Sequence, residues 1–289
     1  MPPASQQTAL AALVPAIVAA TTFAFADVTT KVVLNDGADV LTQALFRSIA
    51  VPLLIAWLFV GVRPIALTPA QRNLSLIIGV LFAGNVFFLF KAIEAMPVPL
   101  AILTYFTYPL LTGLAAAATG VERLGAAGAL AAVAAFGGLA LIVGAHPGGA
   151  ALIGIAFALM AASIRVVILL TTRAKLNAAD PRLISLWSMI AATTVFALAS
   201  LVTWNWQPPA SAGGWAALIG GSVAMVVAIA AVFISTARIG PFRTALFMNL
   251  EPLLATIGAA IFLGELITPL QAVGGAVMIA ALMAFQLRK

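Results

Sequence analysis

Four ionisable side chains stand where this chain has least reason to hold them. Asp27, Arg47, Arg165 and Glu251 each lie inside a long apolar stretch. Placing such a group in hydrocarbon costs at least about 2.5 to 3.5 kcal/mol on insertion scales, so it faces protein or water and finds a partner. Counted along their stretches, Glu251 and Arg165 share one depth, and Asp27 and Arg47 share another. The spacing therefore predicts an inner clasp of Arg165 with Glu251 and an outer one of Asp27 with Arg47. Each is either made and broken during a working cycle or a static pair that neutralises charge inside a bundle. Glu251 has a second reading as a proton carrier, which a neighbouring Arg165 would oppose. Lys31, and Lys91 with Glu94, fall nearer the outer surface.

A second set of residues offers a binding surface. Asn85 with Phe88, Tyr105 with Tyr108, Trp187 and Asn249 fall at mid-depth in their stretches. Together they would surround a modest pocket for an amphipathic molecule, since ligand sites combine apolar walls with a few placed polar groups and aromatic faces. Tyr105, Tyr108 and Trp187 serve equally well as packing or interfacial aromatics. Trp204 and Trp206, in a polar connection, read as membrane-interface anchors. Nothing gathers several Lys or Arg into an anion pocket, which argues against sugar phosphates and nucleotide sugars. Pro109 and Pro252, near the middles of their stretches, free backbone carbonyls and bend the helix, which suits a mechanical role.

Catalytic parts are missing. The single histidine, His146, sits beside Pro147 in a turn, and no HExxH motif, carboxylate cluster or nucleophile elbow is present. The absence of cysteine removes disulfides, thiolate metal sites and cysteine nucleophiles. No catalytic residue, metal or cofactor is expected. The formal charge of +6 does not point to nucleic acid, because the basic residues are scattered between apolar stretches.

The elements that must position these residues follow from composition. Of 289 residues 64% are hydrophobic and 8% charged, against roughly a quarter charged in a soluble domain. So few charges cannot cover a water-facing surface, and the solvent must be lipid. The runs recur at the ~20 residues a helix needs to cross hydrocarbon and lack the period of two of a barrel. Ten spans result: residues 9–33, 40–60, 73–94, 98–119, 124–144, 151–172, 181–202, 213–236, 243–263 and 268–287. The first reads as a retained helix, since no basic segment or small-residue cleavage site accompanies it. With both termini cytoplasmic, Arg63, Arg72, Arg123, Arg173, Lys175, Arg182, Arg238, Arg243, Arg288 and Lys289 all fall inside, 10 of the 14 basic residues. Gly137, Gly138 and Gly144 in the fifth span, and Gly274 and Gly275 in the tenth, would let helices approach closely.

Sliding the chain against itself by 143 residues places Phe90 on Phe233, Pro109-Leu110-Leu111 on Pro252-Leu253-Leu254, and Glu122 on Glu265. Five spans in each half, an odd number, make the repeat inverted: residues 1–146 and 147–289 enter the membrane from opposite sides. Such halves build similar outward and inward faces, the geometry of alternating access.

With Pro99-Leu100-Ala101, Tyr108-Pro109-Leu110-Leu111 and Glu122 in the first half, and Glu251-Pro252-Leu253-Leu254 and Gly264-Glu265 in the second, the chain resembles the drug/metabolite transporter superfamily in its ten-helix form with two EamA-type repeats. Within it the chain looks most like bacterial exporters of aromatic amino acids. The resemblance implies an all-α, multi-pass protein of the cell inner membrane. It would export small amphipathic metabolites, foremost neutral or aromatic amino acids, by rocking about a central cavity. The third, fourth, eighth and ninth spans would line that cavity, with the fifth and tenth peripheral. A drug or lipophilic-metabolite exporter or a lipid flippase is the alternative. Partners are then a small solute and membrane lipid, with no nucleic acid, and a monomer is among the open assembly states. One departure stands out: Glu251 falls on Tyr108 of the first half, so its charge is not duplicated.

Overall fold

The computed structural model describes residues 4–57, 65–118, 130, 133–134, 137–138, 141, 149–176, 179–204 and 206–286. Among these residues the secondary structure is helical. In chain order the helices are α1 (Ala4–Asn35), α2 (Val40–Trp57), α3 (Pro69–Ala95), α4 (Val98–Tyr105) and α5 (Tyr108–Ala118), followed by α6 (Gly149–Lys175), α7 (Pro181–Thr203), α8 (Ala212–Met248), α9 (Leu250–Leu263) and α10 (Pro269–Gln286). Arg63, Glu122, Arg123, His146, Arg288 and Lys289, most of the fifth span and the side chains of Pro109, Phe233, Arg238 and Arg243 lie outside the described residues.

Local chemistry sets the helix ends. Thr68 accepts from the Gln71 N–H at 3.3 Å while Gln71 Oε1 accepts from the Thr68 N–H at 3.0 Å, a reciprocal cap ahead of Pro69. Asp180 caps α7 by accepting from the Arg182 N–H at 3.0 Å, again ahead of a proline. The Arg182 side chain also hydrogen-bonds this carboxylate and holds it below its usual range. Asp39 Oδ1 accepts from the N–H groups of Leu41 and Thr42 at the head of α2.

Among the described residues, five helical segments are long and apolar enough to cross a membrane: Leu13–Asn35, Pro69–Ala95, Leu152–Thr172, Arg182–Thr203 and Ala212–Val232. Large apolar side chains face outward from them, among them Ile77, Met160, Leu201 and Val223. A water-facing surface would not tolerate so continuous an apolar cover, and lipid requires it. The fully buried side chains Phe90, Ile93, Ile102 and Leu110 form the core where α3, α4 and α5 meet their neighbours.

Packing divides these helices into two groups. Helix α3 lies against α6 and α7, with α4 and α5 also on α6. Helix α8 lies against α1 and α2, with α9 also on α1. The groups meet most extensively where α2 lies on α7, and also where α4 touches α9 and where α3 touches α1 and α2. Two crossings depend on glycine. A Cβ on Gly79 of α3 would collide with the Ser188 carbonyl of α7, and one on Gly221 of α8 would collide with Thr29 of α1. Backbones approach this closely where lipid offers no hydrophobic drive between helices. Gly138 likewise lies against Gly274 of α10, and Gly275 against Leu103.

Two boundaries differ from the sequence reading. The fourth span, 98–119, is two helices: α4 ends at Tyr105, Phe106 and Thr107 turn, and α5 begins at Tyr108. Where a connection was expected at 237–242, α8 is helical to Met248, and the break falls at Asn249. One rule accounts for both breaks. A proline lacks the N–H that would bond to the carbonyl four residues earlier, and its ring collides with that carbonyl. Pro109 thus ends a helix at Tyr105, and Pro252 ends one at Met248. Each proline sits in the first turn of the second segment, and Asn249 keeps helical torsions (φ −66°, ψ −10°), so the interruption there is a lost hydrogen bond and not a change of direction forced by an extended residue. The rule is not absolute, since α8 runs through Pro241 and α1 through Pro15.

Candidate functional site

The two breaks carry the site. At the first, Tyr105 ends α4 and Tyr108 opens α5, their rings 5.3 Å apart. At the second, Asn249 is buried and Glu251 occupies the first turn of α9, where the positive end of the helix dipole favours a carboxylate.

Around these breaks the four charged residues form one cluster. Asp27 Oδ1 lies 3.9 Å from Arg47 Nη2, and both side chains are almost fully buried. Arg47 Nη1 donates to Thr30 Oγ1 at 3.0 Å, Gln43 Nε2 donates to the same oxygen at 3.2 Å, and the Thr30 hydroxyl donates to the Ala26 carbonyl. The Arg47 guanidinium also sits 5.2 Å from the Phe90 ring centre, a cation–π contact. Glu251 brings its carboxyl against that of Asp27 and within electrostatic reach of Arg165 and Arg47. Arg165, on α6, lies over the Tyr108 ring at 5.8 Å. Depth along the spans had separated an inner from an outer pair. The structure places all four charges together, two carboxyls and two guanidiniums.

The polar chain continues from there. Tyr105 is hydrogen-bonded to Asn85, and Asn85 Nδ2 donates to the Ala161 carbonyl at 2.7 Å, one turn before Arg165 on α6. Asn85, Tyr105, Tyr108 and Arg165 are thus brought together with Asp27, Arg47 and Glu251. Arg165, Tyr108 and Glu251 are enclosed by protein, yet part of each stays accessible. Arg165 Nε, Arg47 Nε, Gln43 Oε1 and Thr104 Oγ1 have no hydrogen-bond partner among the described residues.

Two residues expected in the pocket have aromatic or cation–π partners of their own, Trp187 at one end of the bundle and Phe88 one turn from Asn85. Trp187 lies under the Arg72 guanidinium at 5.8 Å, next to the Ser188 hydroxyl that donates to the Ser75 carbonyl. Thirteen residues of α3 separate Arg72 from Asn85, about 20 Å of helix, so Trp187 belongs to one end of the bundle. Phe88 stacks on Phe157 at 6.0 Å in the contact between α3 and α6.

Sequence reasoning missed Thr30 and Gln43, which orient Arg47. Their signal was helical spacing, three residues after Asp27 and four before Arg47. Lys31, expected near the surface, is buried and donates to the carbonyls of Ile93, Glu94 and Met96 at 2.6, 3.1 and 3.2 Å. Two residues beyond Met96, Glu265 Oε2 accepts from the Val98 N–H at 2.8 Å. A lysine of α1 and a glutamate of the α9–α10 connection thus hold the joint between α3 and α4. At the same end, Asp36 accepts from the Ser211 N–H at 2.8 Å and Asp39 from the Gln207 N–H at 3.0 Å. The Ser211 hydrogen bonds hold the Asp36 carboxyl below its usual range.

Residues 152–285, from α6 through α10, match the EamA-like transporter family. The match supports a place in the drug/metabolite transporter superfamily. A solved structure titled "Crystal structure of protein" superposes with a TM-score of 0.65 over 96% of this chain and 98% of its own, at 19% identity. That likeness shows the fold and extends it to the half that the family match does not reach. No curated protein matches the chain.

Proposed function

We propose that this protein is a secondary transporter that moves a small amphipathic solute, foremost a neutral or aromatic amino acid, out of the cytoplasm by alternating access. One observation carries the reading. In a chain whose outside is apolar, two broken helices meet around a partly accessible cluster of two carboxyls, two guanidiniums, two tyrosines and an asparagine. Transporters bind substrate at such breaks, where backbone and side-chain polar groups face a cavity near the membrane midplane. The EamA-like match over residues 152–285 adds family support for a solute carrier.

Ten spans in two inverted halves, 1–146 and 147–289, with both termini cytoplasmic in the inner membrane, complete the proposal. Three features support the halves. Pro69 and Ala212 open helices 143 residues apart, and Tyr105 and Met248 end helices 143 residues apart. The packing partners also exchange: α3 lies on α6 and α7 as α8 lies on α1 and α2. Since each group contains helices from both halves, the bodies that rock would be these groups and not the sequence halves. Asn85, Tyr105, Tyr108 and Asn249 would form the binding walls. Asp27 with Arg47 would fix one side of the cavity, and the breaks at Pro109 and Pro252 would be the flexing points.

The test is flux of labelled phenylalanine, tryptophan, alanine and glutamate into liposomes holding the purified, folded protein, with and without a proton gradient. Saturable flux of the aromatic pair is expected. No flux of any of the four overturns the amino-acid assignment, and lipid redistribution without solute flux would establish a flippase instead.

A further inference from the structure

The four charges of the cluster are not equally occupied. Asp27 and Arg47 face each other, are shut off from solvent, and have Thr30 and Phe90 as further partners of the guanidinium. Arg165 is different. It makes no hydrogen bond to a described residue, no described carboxylate comes within ion-pair distance of it, and part of it is accessible. Its Tyr108 contact holds one face of the guanidinium, and the Nε–H at its edge has no hydrogen-bond partner. Glu251 attracts it across a gap wider than an ion pair.

We propose that this gap is the subsite for a zwitterion, with the Arg165 guanidinium taking the substrate's carboxylate and Glu251 its ammonium. The assignment deepens the transporter reading and rests on it. An arginine edge matches a carboxylate through two parallel hydrogen bonds. The Glu251 carboxyl, within electrostatic reach of Arg165, matches an ammonium. Bound there, a zwitterion supplies Arg165 with the partner it lacks, adds an ammonium beside the Glu251 and Asp27 carboxyls, and brings no net charge into an apolar bundle, where an unbalanced ion is expensive. The Tyr105 and Tyr108 rings, 5.3 Å apart beside Arg165, offer the apolar wall for the substrate's side chain.

The experiment uses the full-length protein in liposomes and three labelled solutes of one shape: phenylalanine, phenethylamine, which lacks the carboxylate, and 3-phenylpropionate, which lacks the ammonium. Wild-type protein is expected to favour phenylalanine over both by more than about tenfold, since a site built to bind a polar group rejects the analogue lacking it. Arg165→Gln is expected to bring the phenylalanine to phenethylamine ratio near one, and Arg165→Lys to restore part of it. Glu251→Gln is expected to level phenylalanine with 3-phenylpropionate. Wild-type flux of phenethylamine as fast as that of phenylalanine, or an equal loss of all three solutes in Arg165→Gln, overturns the subsite and leaves the transporter reading standing. No wild-type flux of any of the three overturns both. The wild-type comparison needs no variant to fold.

Discussion

The break at Phe106–Thr107 and the break at Asn249 are one backbone device used twice. In each, a helix stops four residues before a proline and a new helix begins. What the breaks present is different. The first opens on Tyr108, an aromatic face, and the second opens on Glu251, a charge. The partners differ in the same sense, since the Asp27–Arg47 pair has Leu170 and Ile190 at the corresponding positions of the second half. Repetition therefore governs how the chain bends, and its departures govern what the cavity recognises. A fully symmetric site would double Glu251 or Tyr108 and could not distinguish the two ends of a substrate.

Experiments that remove the difference should have the largest effect. Glu251→Gln deletes the charge peculiar to the second break, and phenylalanine flux in liposomes should fall by about two orders of magnitude, the scale of truncating one partner of a buried charge pair. Removing the shared device comes next. Pro252→Ala restores the missing N–H and lets α8 run into α9, and Pro109→Ala does the same for α4 and α5. Each should raise the thermal midpoint in detergent by the worth of about one hydrogen bond, ~1 kcal/mol, while lowering flux several-fold. Unequal losses of flux would show that one break does more of the moving.

Smaller effects sharpen the comparison. Glu265→Gln weakens the hold on the Val98 N–H and should destabilise the α3–α4 joint by about 1 kcal/mol, the scale of a helix cap, read as a lower thermal midpoint. Tyr108→Phe keeps the ring under Arg165 and should change flux less than twofold, since a cation–π contact at this distance is worth ~1 kcal/mol and survives the substitution. Least of all is Asp36. Its folded-state value is depressed, so its contribution is present above the ordinary carboxylate range and disappears as pH falls through the folded value. Asp36→Asn should accordingly lower the thermal midpoint slightly at neutral pH, leave it unchanged at the acid limit and so flatten the profile between them.

The apolar stretches and the 143-residue repeat made the helices legible, because lipid imposes length and composition together. The prolines were visible too, but a pattern of apolar residues does not say whether a proline bends a helix or ends it. The charged residues were found by type, and their grouping was not. Position along a span gives height, whereas Asp27 meets Glu251 because α1 packs on α9, a matter of which sides of the helices face each other. Trp187 failed for a related reason: six residues from the start of α7 places it near the end of the bundle, where Arg72 covers it. The height of Lys31 along its span was legible, but its partners were not, because they are backbone carbonyls, which no side-chain pattern reveals.

The glycine contact between α3 and α7 has a mechanical reading. With no side chain between Gly79 and the Ser188 carbonyl, the two rods approach closely enough here to serve as a fulcrum. Asn85 is six residues beyond it and Ala95 sixteen, roughly 9 Å and 24 Å along the axis. A tilt that moves Asn85 by a given amount therefore moves the Lys31-bound end of α3 nearly three times as far, so a small adjustment beside the substrate is geared up into a large one at the mouth.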